Sequence, residues 1–304
     1  MKEIKKYTSI VRYGKVETID VLQKGDIISI TEKIDGANAS FVLDNGNELG
    51  VSCYSRNNLL SQDQGLRGFY NWVSLNIVPI QDKLNSNYRY YGEWLIPHKV
   101  IYKQEFYNNF YLFSIWDEEK QQYLSDNIVK QEAKKLNLKQ PEYFYEGEYI
   151  SYEHIMSFVG KSNITLNINT GEGVVVKNIN YFNRNNEQLF VKFVSEKFAE
   201  IQKQKLPKNP NINLDEKELI SSVLTIARVR KLIYKLIDDD LLQADFDITD
   251  MGTILKLLGN SVFEDIIKEE SEMFINYEQN IIKKIIGKSL PTLIKQILKE
   301  ENRL

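Results

Sequence analysis

The segment Thr31-Glu32-Lys33-Ile34-Asp35-Gly36-Ala37-Asn38 joins two apolar stretches, one carrying Ile27, Ile28 and Ile30 and the other Ala39, Phe41 and Leu43. Alternation of this kind marks strands, and Asp-Gly between two strands is a strong short-range sign of a hairpin. On that basis alone Lys33 is a solvated lysine beside a surface turn. The competing reading makes it a nucleophile, held at a strand end and aimed at a nucleotide phosphorus. A hairpin needs nothing further from the chain. A lysine nucleophile needs cations, carboxylates and an aromatic surface on neighbouring strands.

Outward from this segment the alternating pattern persists from Asp26 to Val194 in short blocks separated by Gly, Asn and Asp. It predicts strands at Asp26–Thr31, Ala39–Leu43, Leu49–Tyr54, Tyr88–Leu95, Phe110–Trp116, Gly173–Asn178 and Gln188–Val194. Helices are expected at Gly68–Asn76, Ser125–Leu138 and Ser151–Val159, the last capped by Gly160. Runs of strands with helices outside them indicate an α+β domain with antiparallel sheets and flanking helices. Around Lys203–Pro210 two prolines interrupt a polar stretch, which reads as a linker. The expected division is a first domain over 1–205, a linker over 206–213 and an all-α C-terminal domain over 214–304. In the last part Leu219, Ile220, Val223, Leu224, Ala227, Leu232 and Leu236 recur at helical spacing. Ser261 with Glu264 reads as a capping box opening a helix to about Ile286, closed by Gly287, with a final helix after Pro291.

Composition bounds the function. The 304 residues, 42% hydrophobic and 27% charged, suffice for two globular domains. A formal charge of −3 gives no global attraction to nucleic acid, so any such binding needs a local basic surface. Asp215–Arg303 holds 13 basic and 17 acidic residues, a net charge of −4, so the helical part is no generic polyanion clamp. Its basic stretch Arg228-Val229-Arg230-Lys231, with Lys283, Lys284 and Lys288, reads equally as solvated helix faces or nucleic-acid contacts. The single cysteine, Cys53, rules out an intrachain disulfide and fits a reducing compartment. His98 and His154 leave little room for a histidine-rich metal site, and structural roles are expected of both. No apolar leader and no apolar run of about 18 residues is present, so a cytoplasmic protein without a membrane span is expected.

The downstream residues supply what a nucleophilic Lys33 needs. Ser55-Arg56-Asn57 follows a strand with a guanidinium, and Tyr91-Gly92-Glu93-Trp94 ends one with a carboxylate. Phe110-Tyr111-Leu112-Phe113 offers an aromatic platform. Glu172-Gly173-Val174-Val175-Val176-Lys177 opens a strand with a carboxylate and closes it with a lysine, and Val191-Lys192-Phe193 sets a lysine in an apolar strand. Positive charge near a lysine lowers its pKa, and cations neutralise the phosphoryl oxygens in the transition state.

In this order the segments resemble the collinear motifs of the covalent nucleotidyltransferases, the superfamily of DNA ligases, RNA ligases and mRNA capping enzymes. Lys33-Ile34-Asp35-Gly36 is similar to motif I, KxDG, and Ser55-Arg56-Asn57 to motif Ia. Gly92-Glu93 is similar to motif III, Phe113 to the aromatic of motif IIIa, Glu172-Gly173 to motif IV and Lys192 to motif V. Lys6-Tyr7, Gly36-Ala37-Asn38 and Lys197-Phe198 bring the chain nearest the RNA ligase 2 family. The resemblance covers residues 1–200 by motif and the rest only by its helical character.

It implies an ATP-grasp-like ligase domain followed by an all-α domain. It also implies an ATP-dependent RNA ligase that joins 3′-OH and 5′-phosphate ends. The implied partner is nicked duplex RNA or an RNA-containing hybrid, and the implied state a monomer. Lys33 would attack the α-phosphorus of ATP and hold AMP. Arg56 would position phosphate, Glu93 bind ribose and Phe113 stack on adenine. Glu172, with Glu93 through water, would hold Mg²⁺, for which Mn²⁺ could substitute. Lys177 and Lys192 would face phosphate, Asn38 a metal-bound water, and Glu32 and Ile34 complete the nucleotide contacts. Two departures stand out. Motif V in the RNA ligase 2 family has the form KxK, whereas this chain has Lys192-Phe193-Val194 preceded by Phe190, leaving Lys197 or Lys177 to replace the second lysine. Motif I has Asp35 where the family often has histidine. A DNA ligase, a GTP-specific capping enzyme and a nick-binding relative without turnover remain as alternatives.

Overall fold

The structure, a computed structural model, describes residues 2–195, 216–275 and 277–304. The chain divides into two compact units, residues 1–195 and 196–304. The linker expected over 206–213, the domain ends expected at 205 and 214, and Lys197-Phe198 lie outside the described residues.

In the N-terminal unit the strands are β1 (Val11–Arg12), β2 (Ile27–Lys33), β3 (Ala37–Leu43), β4 (Val51–Ser55), β5 (Tyr88–Leu95), β6 (Asn109–Asp117), β7 (Gln122–Tyr123), β8 (Tyr143–Glu148), β9 (Gly173–Lys177) and β10 (Val191–Val194). Its helices are α1 (Phe69–Asn76), α2 (Asp126–Leu136) and α3 (Tyr152–Met156). The strands form two five-stranded sheets, ordered β1-β10-β9-β2-β8 and β4-β3-β5-β6-β7. Every neighbouring pair is antiparallel except β1 with β10.

The Asp-Gly turn does not make a hairpin. β2 pairs with β8 and β9, whereas β3 pairs with β4 and β5, so Ile34-Asp35-Gly36 carries the chain from one sheet to the other. Asp-Gly reverses a chain into its neighbour only if the flanking strands lack better partners, and here each strand has two.

Strand alternation then sorts the cores. Ile28, Ile30, Val174, Val176 and Val191 fill the outer face of the first sheet. Ala39, Phe41, Tyr90, Trp94, Phe110 and Leu112 pack under α1 and α2 on the outer face of the second. Tyr7, Tyr91, Trp116, Tyr123, Val175 and Phe190 form a third cluster from residues of both sheets. Tyr7 comes from the N-terminal segment, which Tyr91 fixes by donating its hydroxyl to the Lys5 carbonyl at 2.7 Å. Arg89, 2% exposed, donates to the Glu3 carbonyl at 2.8 Å.

In the second unit the described α-helices are α4 (Glu216–Val223), α5 (Ile226–Asp238), α6 (Met251–Glu270) and α7 (Gln279–Glu300). Residues 216–304 contain no strand among those described. The expected helix from Ser261 to Ile286 is not formed. Ser261 lies inside α6, where its hydroxyl donates to the Leu257 carbonyl at 3.0 Å and caps nothing. α7 runs through both Gly287 and Pro291. Proline crowds the carbonyl four residues back, here that of Gly287, whose missing side chain lets the backbone yield. Arg228 is fully buried and bonds the Val223 carbonyl at 2.9 Å, Asp265 at 2.5 Å and Glu270 at 3.0 Å. Arg230 pairs with Glu300 and Glu301, and Lys231 with Asp265. These cations are tied within the unit.

Candidate active site

Paired residues on neighbouring strands share a face, so the register fixes which side chains meet. Lys33 pairs with Gly173, Thr31 with Val175, and Val175 in turn with Lys192. Since Val175 belongs to the cluster shared by both sheets, Lys33 and Lys192 project from the face turned toward the second sheet.

Lys33 ends β2 there, and its amine donates to Glu172 Oε2 at 2.6 Å. Glu172 is brought to it by the pairing of Gly173. That glycine is obligatory, because a Cβ would stand 2.1 Å from the Phe193 carbonyl oxygen. Glu93, on β5, pairs across from Asn38 and accepts from the Gly36 amide at 3.0 Å. Gly36 is likewise constrained, with a Cβ falling 2.5 Å from the Trp94 carbonyl oxygen.

Asp35 is held by residues that no motif points to. Its Oδ2 accepts from the Lys99 amide at 2.8 Å and the Val100 amide at 2.9 Å. Its own amide donates to the Tyr102 hydroxyl at 2.8 Å, and His98 Nδ1 lies 3.7 Å from Oδ1. The loop after β5 thus clamps the crossing beside the lysine. The only sequence signal was His98 falling five residues after Glu93.

The electrostatics follow from this packing. Burial disfavours the Lys33 ammonium, but Glu172, Glu93 and Asp35 outweigh it and raise the amine's pKa. Burial pushes Glu93 up to about 7 despite the nearby Lys33 and His98. Burial would raise Asp35 too, yet the bond and charge of His98, with Lys99 and Lys33, hold it well below the carboxylate range. The resting lysine is an ammonium ringed by acids.

Lys177 and Phe113 form a second group. The Lys177 amine donates to the Phe113 carbonyl and lies 3.4 Å from Asp126 Oδ1. Asp126, at the start of α2, also accepts from Ser29 and from Tyr143. Phe113 meets Tyr7 edge-on at 4.9 Å. Arg56, just past β4, is near enough to lower the pKa of Tyr123, which burial raises to about 12. Ile34 is buried in the crossing at 4% exposure. Glu32 alternates to the opposite face from Lys33, pairing with Val174 of the outer core, and is 3% exposed. So Lys33, Asn38, Glu93 and Glu172 come together, Lys177 joins Phe113, and Glu32 faces away from Lys33.

Among the described residues no three His, Cys, Asp or Glu side chains gather as metal ligands. Glu93 and Glu172 nevertheless suit Mg²⁺, a hard ion held by one or two carboxylates with phosphate and water completing its shell. The raised pKa of Glu93 fits the same role, since a cation beside it would restore its charge.

No curated protein matches the chain. Among solved structures, Naegleria gruberi RNA ligase with pyrophosphate is similar at 20% identity and a TM-score of 0.44, covering 64% of this chain and 57% of that one. A lysine-to-alanine mutant of that ligase, with ATP and Mn, gives the same identity, coverage and TM-score. The chain therefore spans just over half the length of these structures. The family model described as RNA ligase matches residues 26–194, which hold the crossing, both sheets from β2 onward, and Lys33, Glu93 and Glu172. With more than half of its 304 residues matched, the chain belongs to the RNA ligase family.

Proposed function

We propose that the chain is an ATP-dependent RNA ligase that seals 3′-OH/5′-phosphate breaks in duplex RNA or RNA-containing hybrids. The observation that carries this is the Lys33 amine 2.6 Å from Glu172, with Glu93 beside it, where the chain crosses between the sheets. In the first step the Lys33 nitrogen forms a bond to the α-phosphorus of ATP and the bond to pyrophosphate breaks. AMP then passes to the 5′-phosphate of the nucleic acid. Finally the 3′-OH attacks that phosphate and AMP leaves. Lys33 must shed a proton first, and the three acids around it oppose this. A divalent ion at Glu93 and Glu172 would neutralise them and stabilise charge on the phosphoryl oxygens when bound. Glu93 and Asp35 hold the crossing from either side and so fix the direction of attack. Phe113, Arg56 and Lys177 are proposed to serve base, phosphate and nucleotide as the motifs imply.

The helical character of residues 216–304 favours an RNA ligase over the DNA ligases and capping enzymes, which carry an OB domain at this place. Incubation with α-labelled ATP and Mg²⁺ should label the protein, and Lys33→Ala should abolish the label. An unlabelled parent protein, or a label that survives Lys33→Ala, refutes the mechanism.

A further inference from the structure

Motif V of this chain has one lysine where related ligases have two. The positions two residues to either side of that lysine hold Val194 and Phe190, and Phe190 is fully buried, 6.3 Å from Tyr7 and 5.5 Å from Tyr123 between ring centroids. A lysine there would disrupt the cluster that the two sheets share. The register offers a different second cation. β1 runs parallel to β10 with Arg12 directly beside Lys192. The pairing is anchored by the Val11 amide on the Phe190 carbonyl at 3.0 Å and the Tyr13 amide on the Lys192 carbonyl at 3.2 Å. Val11, the neighbour of Arg12, is buried in the outer core, so Arg12 alternates to the face that carries Lys192 and Lys33.

We infer that Arg12 supplies the missing positive charge, and that Arg12 and Lys192 together grip phosphate oxygens delivered to Lys33. This rests on the ligase reading above. Strands in a sheet lie about 5 Å apart, so Arg12 starts about 15 Å from β2 and Lys192 about 10 Å. Long side chains on both sides close most of that gap. Between them on β9 the same face carries only Gly173 and Val175, which put no long side chain in the way. Arg12 brings to this face the positive charge that a second motif lysine would carry, with N–H donors for phosphate oxygens. The phosphate belongs either to the nucleotide or to the nucleic-acid strand that receives AMP.

Two measurements separate these sources. The first is equilibrium binding of ATP and of AMP to Lys33→Ala protein, which cannot form the adduct, with and without Arg12→Ala. The second is sealing of chemically pre-adenylylated nicked RNA by Arg12→Ala protein with Lys33 intact. Arg12→Ala should weaken one of these at least tenfold, and Arg12→Lys should recover it to within about threefold of the parent. Loss of ATP but not AMP binding assigns the nucleotide's outer phosphates, and loss of sealing alone assigns the nucleic acid. ATP binding and sealing both within twofold of the parent overturn the proposal, as does failure of Arg12→Lys to recover what Arg12→Ala loses. Arg12→Gln, which keeps most of the side chain, gives the same reading if Arg12→Ala melts early. Should the parent form no Lys33 adduct while Arg12→Ala still weakens ATP binding, the ligase reading falls and the phosphate assignment stands. A normal adduct with Arg12 without effect gives the converse.

Discussion

Replacing Glu32 by glutamine should stabilise the N-terminal unit, and do so only as the pH rises. The Glu32 carboxyl is 3% exposed, and its Oε1 has no hydrogen-bond partner. Burial raises its pKa from 4.5 to about 7, with a bond to Ser162 opposing the rise and the charge of Glu142 adding to it. Below the unfolded value both states hold the proton and burial costs little. Between the two values the unfolded chain releases the proton while the folded one keeps it, so rising pH favours unfolding. Above about 7 both are ionised, and the folded state carries the full cost of a buried charge. The pKa difference corresponds to about 3 kcal/mol. Glutamine has nearly the same shape and no proton to lose. The stability gap between Glu32→Gln and the parent should therefore be near zero at pH 4.5 and grow to about 3 kcal/mol at pH 8. For a unit of this size that is roughly 5–10 °C in melting temperature. Tryptophan fluorescence isolates the unit, because Trp72, Trp94 and Trp116 all lie within it. Glu93 titrates in the same range, so the variant should keep a residual slope. A gap that is the same at every pH, or a variant less stable at pH 8, refutes the reasoning.

Asp35→Asn should act with the opposite sign. The folded pKa of Asp35 lies below the unfolded 3.8, so its contribution is present at neutral pH and is lost as the pH falls through the folded value. The variant should be about 2 kcal/mol less stable at pH 7, with the gap starting to narrow only as the pH falls below the unfolded value of 3.8 in the same melts, and should slow label transfer from ATP. Arg228→Met should cost the helical unit about 3–5 kcal/mol, read by far-UV circular dichroism, because it leaves Asp265 and Glu270 buried against an apolar side chain. Adding Glu270→Gln should recover part of that loss.

The strands nearest Lys33 were legible because each is a long apolar alternation. Tyr88–Leu95 was placed at its observed limits, and β2, β3, β6 and β9 fall within a few residues of expectation. β8 was missed, because Tyr143-Phe144-Tyr145-Glu146-Gly147-Glu148 alternates poorly and earns its place by pairing with β2 along a sheet edge. In the helical unit, Ser261 and Glu264 satisfy the spacing of a capping box yet sit in mid-helix. The true starts lie at Met251 and Gln279, and neither helix has a side-chain cap on its first turn. A capping pattern shows where a helix could start; packing of Ile254, Leu258 and Val262 decided that it had begun earlier.

The site divides in the same way. Lys33, Glu93, Glu172 and Phe113 announce themselves because each is a charged or aromatic residue at the edge of a strong strand. His98 and Tyr102 lie past the end of a strong strand, and only the crossing of Asp35 between sheets gives them something to hold. Arg12 lies in a strand of two residues, shorter than any periodicity can reveal. Its relevance comes from a parallel pairing between segments about 180 residues apart, which no local pattern encodes. A motif written as KxK specifies two charges along one strand, but a phosphate meets charges on a surface. With Phe190 in the core between the sheets and valine at position 194, the neighbouring strand is the place from which a second cation can reach the same face as Lys192.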